Sequence, residues 1–166
     1  MTNTLLPGNA DEKPKDGTAP SQKMSDLFLG KLQSLYGILE NTHLNFCRLL
    51  YAVHNLKLRE AMISLVHDSR LYASEVSMLM RLISGNEVLE DNDKKLNDEQ
   101  PGESLNQPEL VKNAINRHGL LFAAYNDILN ENALVSEVRK MLDHQLAGIR
   151  YNFLKLKSLQ AFIGAS

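Results

Sequence analysis

Cysteine is almost missing from this sequence. The 166 residues hold one, Cys47, so no internal disulfide can form and no cysteine cluster exists to bind a metal. Long apolar runs are missing as well: no window approaches the ~18 residues of a membrane span. The opening MTNTLLPGNADEK has no basic region ahead of its one apolar pair, Leu5–Leu6, and is not read as a secretory signal. Neither sign of charge dominates. A net charge of -2 gives no reason to expect nucleic acid or an anionic membrane as a partner. No stretch alternates apolar and polar residues, which leaves no candidate strand. No glycine loop is suited to cradle a phosphate, and nothing in the residues calls for a cofactor. Together these absences predict a cytoplasmic, all-α protein.

A hydrophobic share of 43% is enough to build the core of one domain. Charge is unevenly spread. Residues 86–106 carry seven acids against Lys94 and Lys95, whereas Arg150, Lys155 and Lys157 meet no acid after Asp143. Residues 1–24 contain Pro7, Pro14, Pro20, Gly8 and Gly17 with few large apolar side chains, a composition that predicts a disordered tail. Ser25 is the expected N-cap of the first helix.

Beyond it the apolar period is helical. Helix A, about 25–54, shows Phe28, Leu32, Leu35, Leu39, Thr42, Phe46, Leu49 and Val53. Helix B, 56–84, repeats the spacing with Leu58, Met62, Leu65, Ser69, Tyr72, Val76, Leu79 and Ile83, and Gly85 is placed to end it in a left-handed conformation. Helix C, 107–130, carries Val111, Ala114, His118, Leu121, Tyr125 and Ile128, with Asn106 as a possible cap and Glu109 in its first turn. Helix D, 133–163, runs through Val135, Val138, Leu142, Gln145, Ile149, Asn152, Leu156, Leu159 and Ile163. Two pairs joined by short turns make a four-helix bundle. The link 86–106 can span its ~40 Å length and lets helix C start at the same end as helix A. We read this path as the ferritin-like up-down-down-up bundle with a long B–C crossover, both short turns lying at one end.

Counted from those turns, Thr42, Ser69, His118 and Gln145 fall at one depth, and all four stand in core stripes. They are expected to form a polar core layer that fixes register. Di-iron bundles place two glutamates and two Glu-x-x-His pairs at such a depth. Here Glu75 is followed at that spacing by Met78, and Glu137 by Lys140. The second reading, a degenerate di-iron or manganese oxidoreductase, would have to use Glu40, Glu75, His118 and His144. Convergence of those four would favour the enzyme, and a closed polar layer the structural protein. Cys47 is followed by Arg48, which could lower its pKa, but a small half-buried helix residue is the simpler reading. Gly30, Gly37, Leu44 and Tyr51 stand seven apart beside the helix A core stripe and suggest a homodimer packed through that helix. A regulator that reads its partner through the tail or the acidic crossover is a third option.

The segments NFCRLLYAVHNLKLREAM (45–62), LYASEVSML (71–79), AAYNDIL (123–129) and HQLAGIRYNFLKLKSL (144–159) resemble a bacterial ferritin-like four-helix-bundle family of unknown function. Its members are small and often stress-associated. The resemblance implies the bundle but no activity. Relative to the family, His118 stands where an acid is usual, Gly148 where a carboxylate is common and Phe153 where a histidine often lies. The tryptophan-bearing segment between helices B and C is missing. These departures weaken a metal centre, and a non-catalytic structural or interaction protein is expected.

Overall fold

The computed structural model describes residues 20–85 and 107–164. The predicted tail up to residue 19, the acidic crossover 86–106 and Asn106 lie outside the described residues. The described elements are all helical: α1 Pro20–Ala52, α2 Leu56–Ser84, α3 Gln107–Asn116, α4 His118–Leu129 and α5 Ser136–Gly164. None is long and apolar enough to cross a membrane.

The first helix opens at Pro20, not after Ser25. A proline suits a first turn because its missing N–H would have no intrahelical partner there. Asn55 then caps α2 by accepting from the Leu58 N–H at 3.1 Å. Gly85 ends α2 at φ 70°, its N–H donating to the Arg81 carbonyl as a left-handed cap requires.

Helix C is broken, against expectation. His118 Nδ1 donates to the Ile115 carbonyl, which the Gly119 N–H would otherwise use. That diversion falls where α3 gives way to α4, at Arg117.

The apolar stripes become the core. Leu32, Leu35, Leu39, Met62, Leu65, Val76, Leu121, Ile128, Leu142 and Ile149 are fully buried. Val135 is the exception at 61% exposed, because α5 starts one residue later. α1 packs on α2 on one side and on α3 and α4 on the other, while α5 closes the ring against α2, α3 and α4.

Lys31, in the first half of α1, pairs with Asp127 and Glu131 at the end of α4. The α4–α5 turn therefore lies beside the start of α1, and the α1–α2 turn is at the other end. This overturns the expectation that both short turns share one end and that helix C starts where helix A does. Two bonds give the relation of α2 to α5. Gln145 meets Glu75 and Asn152 meets Asp68, so the two helices run antiparallel.

Candidate functional site

Asp68, Tyr72 and Glu75 follow one another at i, i+4 and i+7, which puts them on one line of α2. Across the antiparallel contact stand Asn152, Gly148 and Gln145 of α5, and the three levels match one to one. At the first, Asn152 Nδ2 donates to Asp68 Oδ2 at 2.7 Å. At the third, Gln145 Nε2 donates to Glu75 Oε2 at 2.6 Å, and Gln145 Oε1 accepts from the Tyr125 hydroxyl of α4 at 3.0 Å. Gln145 and Tyr125 are fully buried, and Asn152 nearly so. The middle level is steric: a Cβ added at Gly148 would stand 2.5 Å from the Tyr72 hydroxyl oxygen. An interior helical glycine costs about 1 kcal/mol relative to alanine, and here it makes room for a tyrosine that is 6% exposed.

This line is a register device more than a reaction centre. An amide holds no labile proton, so Gln145 separates the Tyr125 hydroxyl from the Glu75 carboxylate instead of relaying a proton between them. Burial raises the Tyr125 hydroxyl far above its ordinary range, with smaller contributions from Tyr72 and Glu75. Burial also raises Tyr72, and the Asp68 and Glu75 carboxylates add to the effect. Both phenols are thereby held neutral, the reverse of what a general base or redox-active tyrosinate needs.

The predicted polar layer does not close. The Thr42 hydroxyl donates to the Ile38 carbonyl at 2.8 Å, and the Ser69 hydroxyl to the Leu65 carbonyl at 2.7 Å. Each is satisfied one turn back on its own helix. Gln145 belongs to the line just described. His118 is half-buried, with its ring centroid 4.8 Å from that of Phe122 and 5.1 Å from that of Phe153. Phe46 meets Phe153 edge-on at 5.8 Å, and the Arg150 guanidinium lies 5.6 Å from the Phe122 ring centroid. His118 is thus a satisfied histidine in an aromatic cluster, not a member of a polar layer. The depth count failed because it measured both pairs from the same end.

The four residues of the metal reading are not brought together either. Glu75 bonds Gln145, His118 sits among rings on α4, and His144 is exposed on α5. Among the described residues, no group of three or more His, Cys, Asp or Glu side chains is placed to hold a metal ion.

At Cys47 the nearest polar neighbour is a histidine. Cys47 Sγ is 3.7 Å from His43 Nε2, and His43 Nδ1 is 3.0 Å from the Val66 carbonyl. A carbonyl only accepts, so Nδ1 carries the proton and Nε2 can accept from the thiol. Burial nevertheless pushes the thiol up, opposed by Arg70 and not by its neighbour Arg48. Of the supposed dimer face, Tyr51 is 88% exposed, while Leu44 and Gly37 are half-buried. A Cβ at Gly30 or Gly37 would meet nothing within 4 Å among the described residues, so neither glycine serves a close approach to them.

Sequence reasoning placed Asn152 and Gln145 in the core stripe but did not pair them with Asp68 and Glu75. The available signal was a rule: an amide on a buried stripe needs a partner. The two carboxylates seven apart on α2 were the partners on offer. Compared with protein-family models, characterised proteins and solved structures, the chain matches none.

Proposed function

We propose that this chain is a non-catalytic structural or interaction protein of the cytoplasm. We read its helices as a ferritin-like up-down-down-up bundle and its working form as a homodimer packed through α1. The observation that carries the reading is that, among the described residues, the buried side-chain polar atoms have hydrogen-bond partners within the chain, the Ser84 hydroxyl excepted. Tyr125, Gln145 and Glu75 form one bonded chain and Asp68 with Asn152 another, and Thr42 and Ser69 bond their own helix. A ligand or metal would have to break these bonds to enter. The up-down-down-up path is supported by Lys31 at Asp127 and by the antiparallel α2–α5 contacts. The dimer is supported by the open space at Gly30 and Gly37 and by the exposed ring of Tyr51.

Metal content tests the first part. After anaerobic loading with Fe(II) and Mn(II) and desalting, mass spectrometry should find substoichiometric metal. Two metals per chain, lost in His118→Ala, would overturn the reading and make oxygen chemistry the next question. Light scattering tests the second: a dimer mass is expected, and Gly37→Glu should lower it. A monomer mass in the parent would refute the α1 dimer.

A further inference from the structure

The outer side of α5 changes character along the helix. Toward its start it mixes Glu137, Lys140, Asp143 and His144, all exposed. From Ala147 to Phe162 no acid occurs, and every exposed residue falls into one of two groups. At about 100° per residue, Ala147, Tyr151, Leu154, Ser158, Ala161 and Phe162 share an arc of roughly 100°. Tyr151, Leu154 and Phe162 are each about two-thirds exposed or more, and Ser158 interrupts the apolar surface between them. The second group is cationic. Arg150 and Lys157 flank the arc on one side and Lys155 on the other, all three exposed. Among the described residues none of them pairs with a carboxylate, and Arg150 rests on the Phe122 ring. The α2 carboxylates bonded to α5, Asp68 and Glu75, meet Asn152 and Gln145 on its buried side.

We propose that this arc docks on an anionic lipid surface, its apolar middle entering the headgroup layer and its cations meeting lipid phosphates. The net charge of -2 is a sum over the chain, whereas attraction to a surface depends on the charges that face it. An apolar strip with cations on both flanks is what a helix lying in an interface needs, because lysine and arginine stems run outward from the strip to the phosphates. Tyr151 suits that boundary, with an apolar ring and a polar tip. A nucleic acid would be met by cations in the middle of the contact, and here the middle is Leu154. A second copy fits less well, since two such arcs face to face would bring only cations together. The inference does not rest on the α1 dimer. It is compatible with it, because α5 packs on α2, α3 and α4 and stands diagonally across the bundle from α1.

The chain has no tryptophan, so Tyr151→Trp places a single reporter on the arc. The full chain is mixed with vesicles of phosphatidylcholine, with or without phosphatidylserine, and binding is read by co-sedimentation and by the emission maximum. Circular dichroism checks that every variant folds, and light scattering without lipid reports the α1 dimer separately. The expected result is a blue shift and binding about tenfold tighter to the phosphatidylserine vesicles, weakened by salt. In the same background, Lys155→Glu with Lys157→Glu should weaken binding severalfold, and so should Leu154→Ser. Lys140→Glu, on the same helix but outside the arc, should leave it nearly unchanged. No binding in the parent, or equal binding to both vesicles, would overturn the proposal. So would a loss in Lys140→Glu as large as that in the arc pair. Binding to a single-stranded oligonucleotide but not to vesicles would overturn it in favour of nucleic acid.

Discussion

Replacing Gln145 with Leu keeps the bulk of the side chain and removes both of its bonds. The buried Tyr125 hydroxyl then has no acceptor, and the expected loss is about 2–3 kcal/mol in chemical denaturation. Gly148→Ala should also destabilise, against the helix propensity of alanine, because the new methyl meets the Tyr72 hydroxyl. In a Tyr72→Phe background the same change should become neutral or stabilising. That sign reversal in a double-mutant cycle identifies the contact, and additive effects would refute it. Cys47 should react slowly with iodoacetamide at neutral pH, its rate profile rising at a pH above the ordinary thiol value of 9.0. Legibility at this scale was partial. The sequence marked Gln145 and Asn152 as buried amides, but choosing among nearby carboxylates needs the facing helix and its register. His118 was expected to be a satisfied core histidine in a polar layer. It is half-buried and bonds the Ile115 carbonyl three residues back, a choice the sequence did not show because a ring nitrogen can bond its own helix as well as a neighbour.

Among the elements, the turn between α4 and α5 is clamped by the Arg139 side chain, alongside the pairing of Lys31 with Asp127 and Glu131. Arg139 donates to the Leu129 carbonyl at 2.5 Å, an acceptor that the end of α4 leaves free, and to the Glu131 carbonyl at 2.8 Å, which also accepts from the Leu134 N–H at 3.4 Å. Arg139→Ala should cost about 1.5–3 kcal/mol, and Arg139→Lys should restore only part, because an ammonium lacks the planar fork. Hydrogen exchange in residues 128–134 would locate the effect at this turn, and a global change without local exposure would refute the clamp. The helices themselves were legible from apolar period, and the cap at Gly85 from residue type. The break at Arg117 was not, since the apolar stripe continues through it.

For the whole molecule, the raised pKa values of Tyr72 and Tyr125 set a pH dependence. A phenol whose pKa is higher folded than unfolded keeps its proton more firmly in the native state. Its contribution is complete below the unfolded value of about 10 and is lost as pH rises above it. Unfolding midpoints should therefore fall in alkaline solution, and Tyr125→Phe should flatten that fall. An unchanged alkaline limb in the variant would assign it elsewhere. What the sequence by itself determined was the class of the molecule. Helical period, two short turns and one long link leave little besides an all-α bundle, because each amphipathic helix must bury its stripe against another. What only the tertiary structure decided was which ends lie together and which polar groups meet. A seven-residue pattern places a side chain on a face but is the same whichever way the neighbouring helix runs. The end of α4 at Lys31, the pairing of Asp68 with Asn152 and the seat of Tyr72 at Gly148 follow from direction and register, which local sequence does not encode.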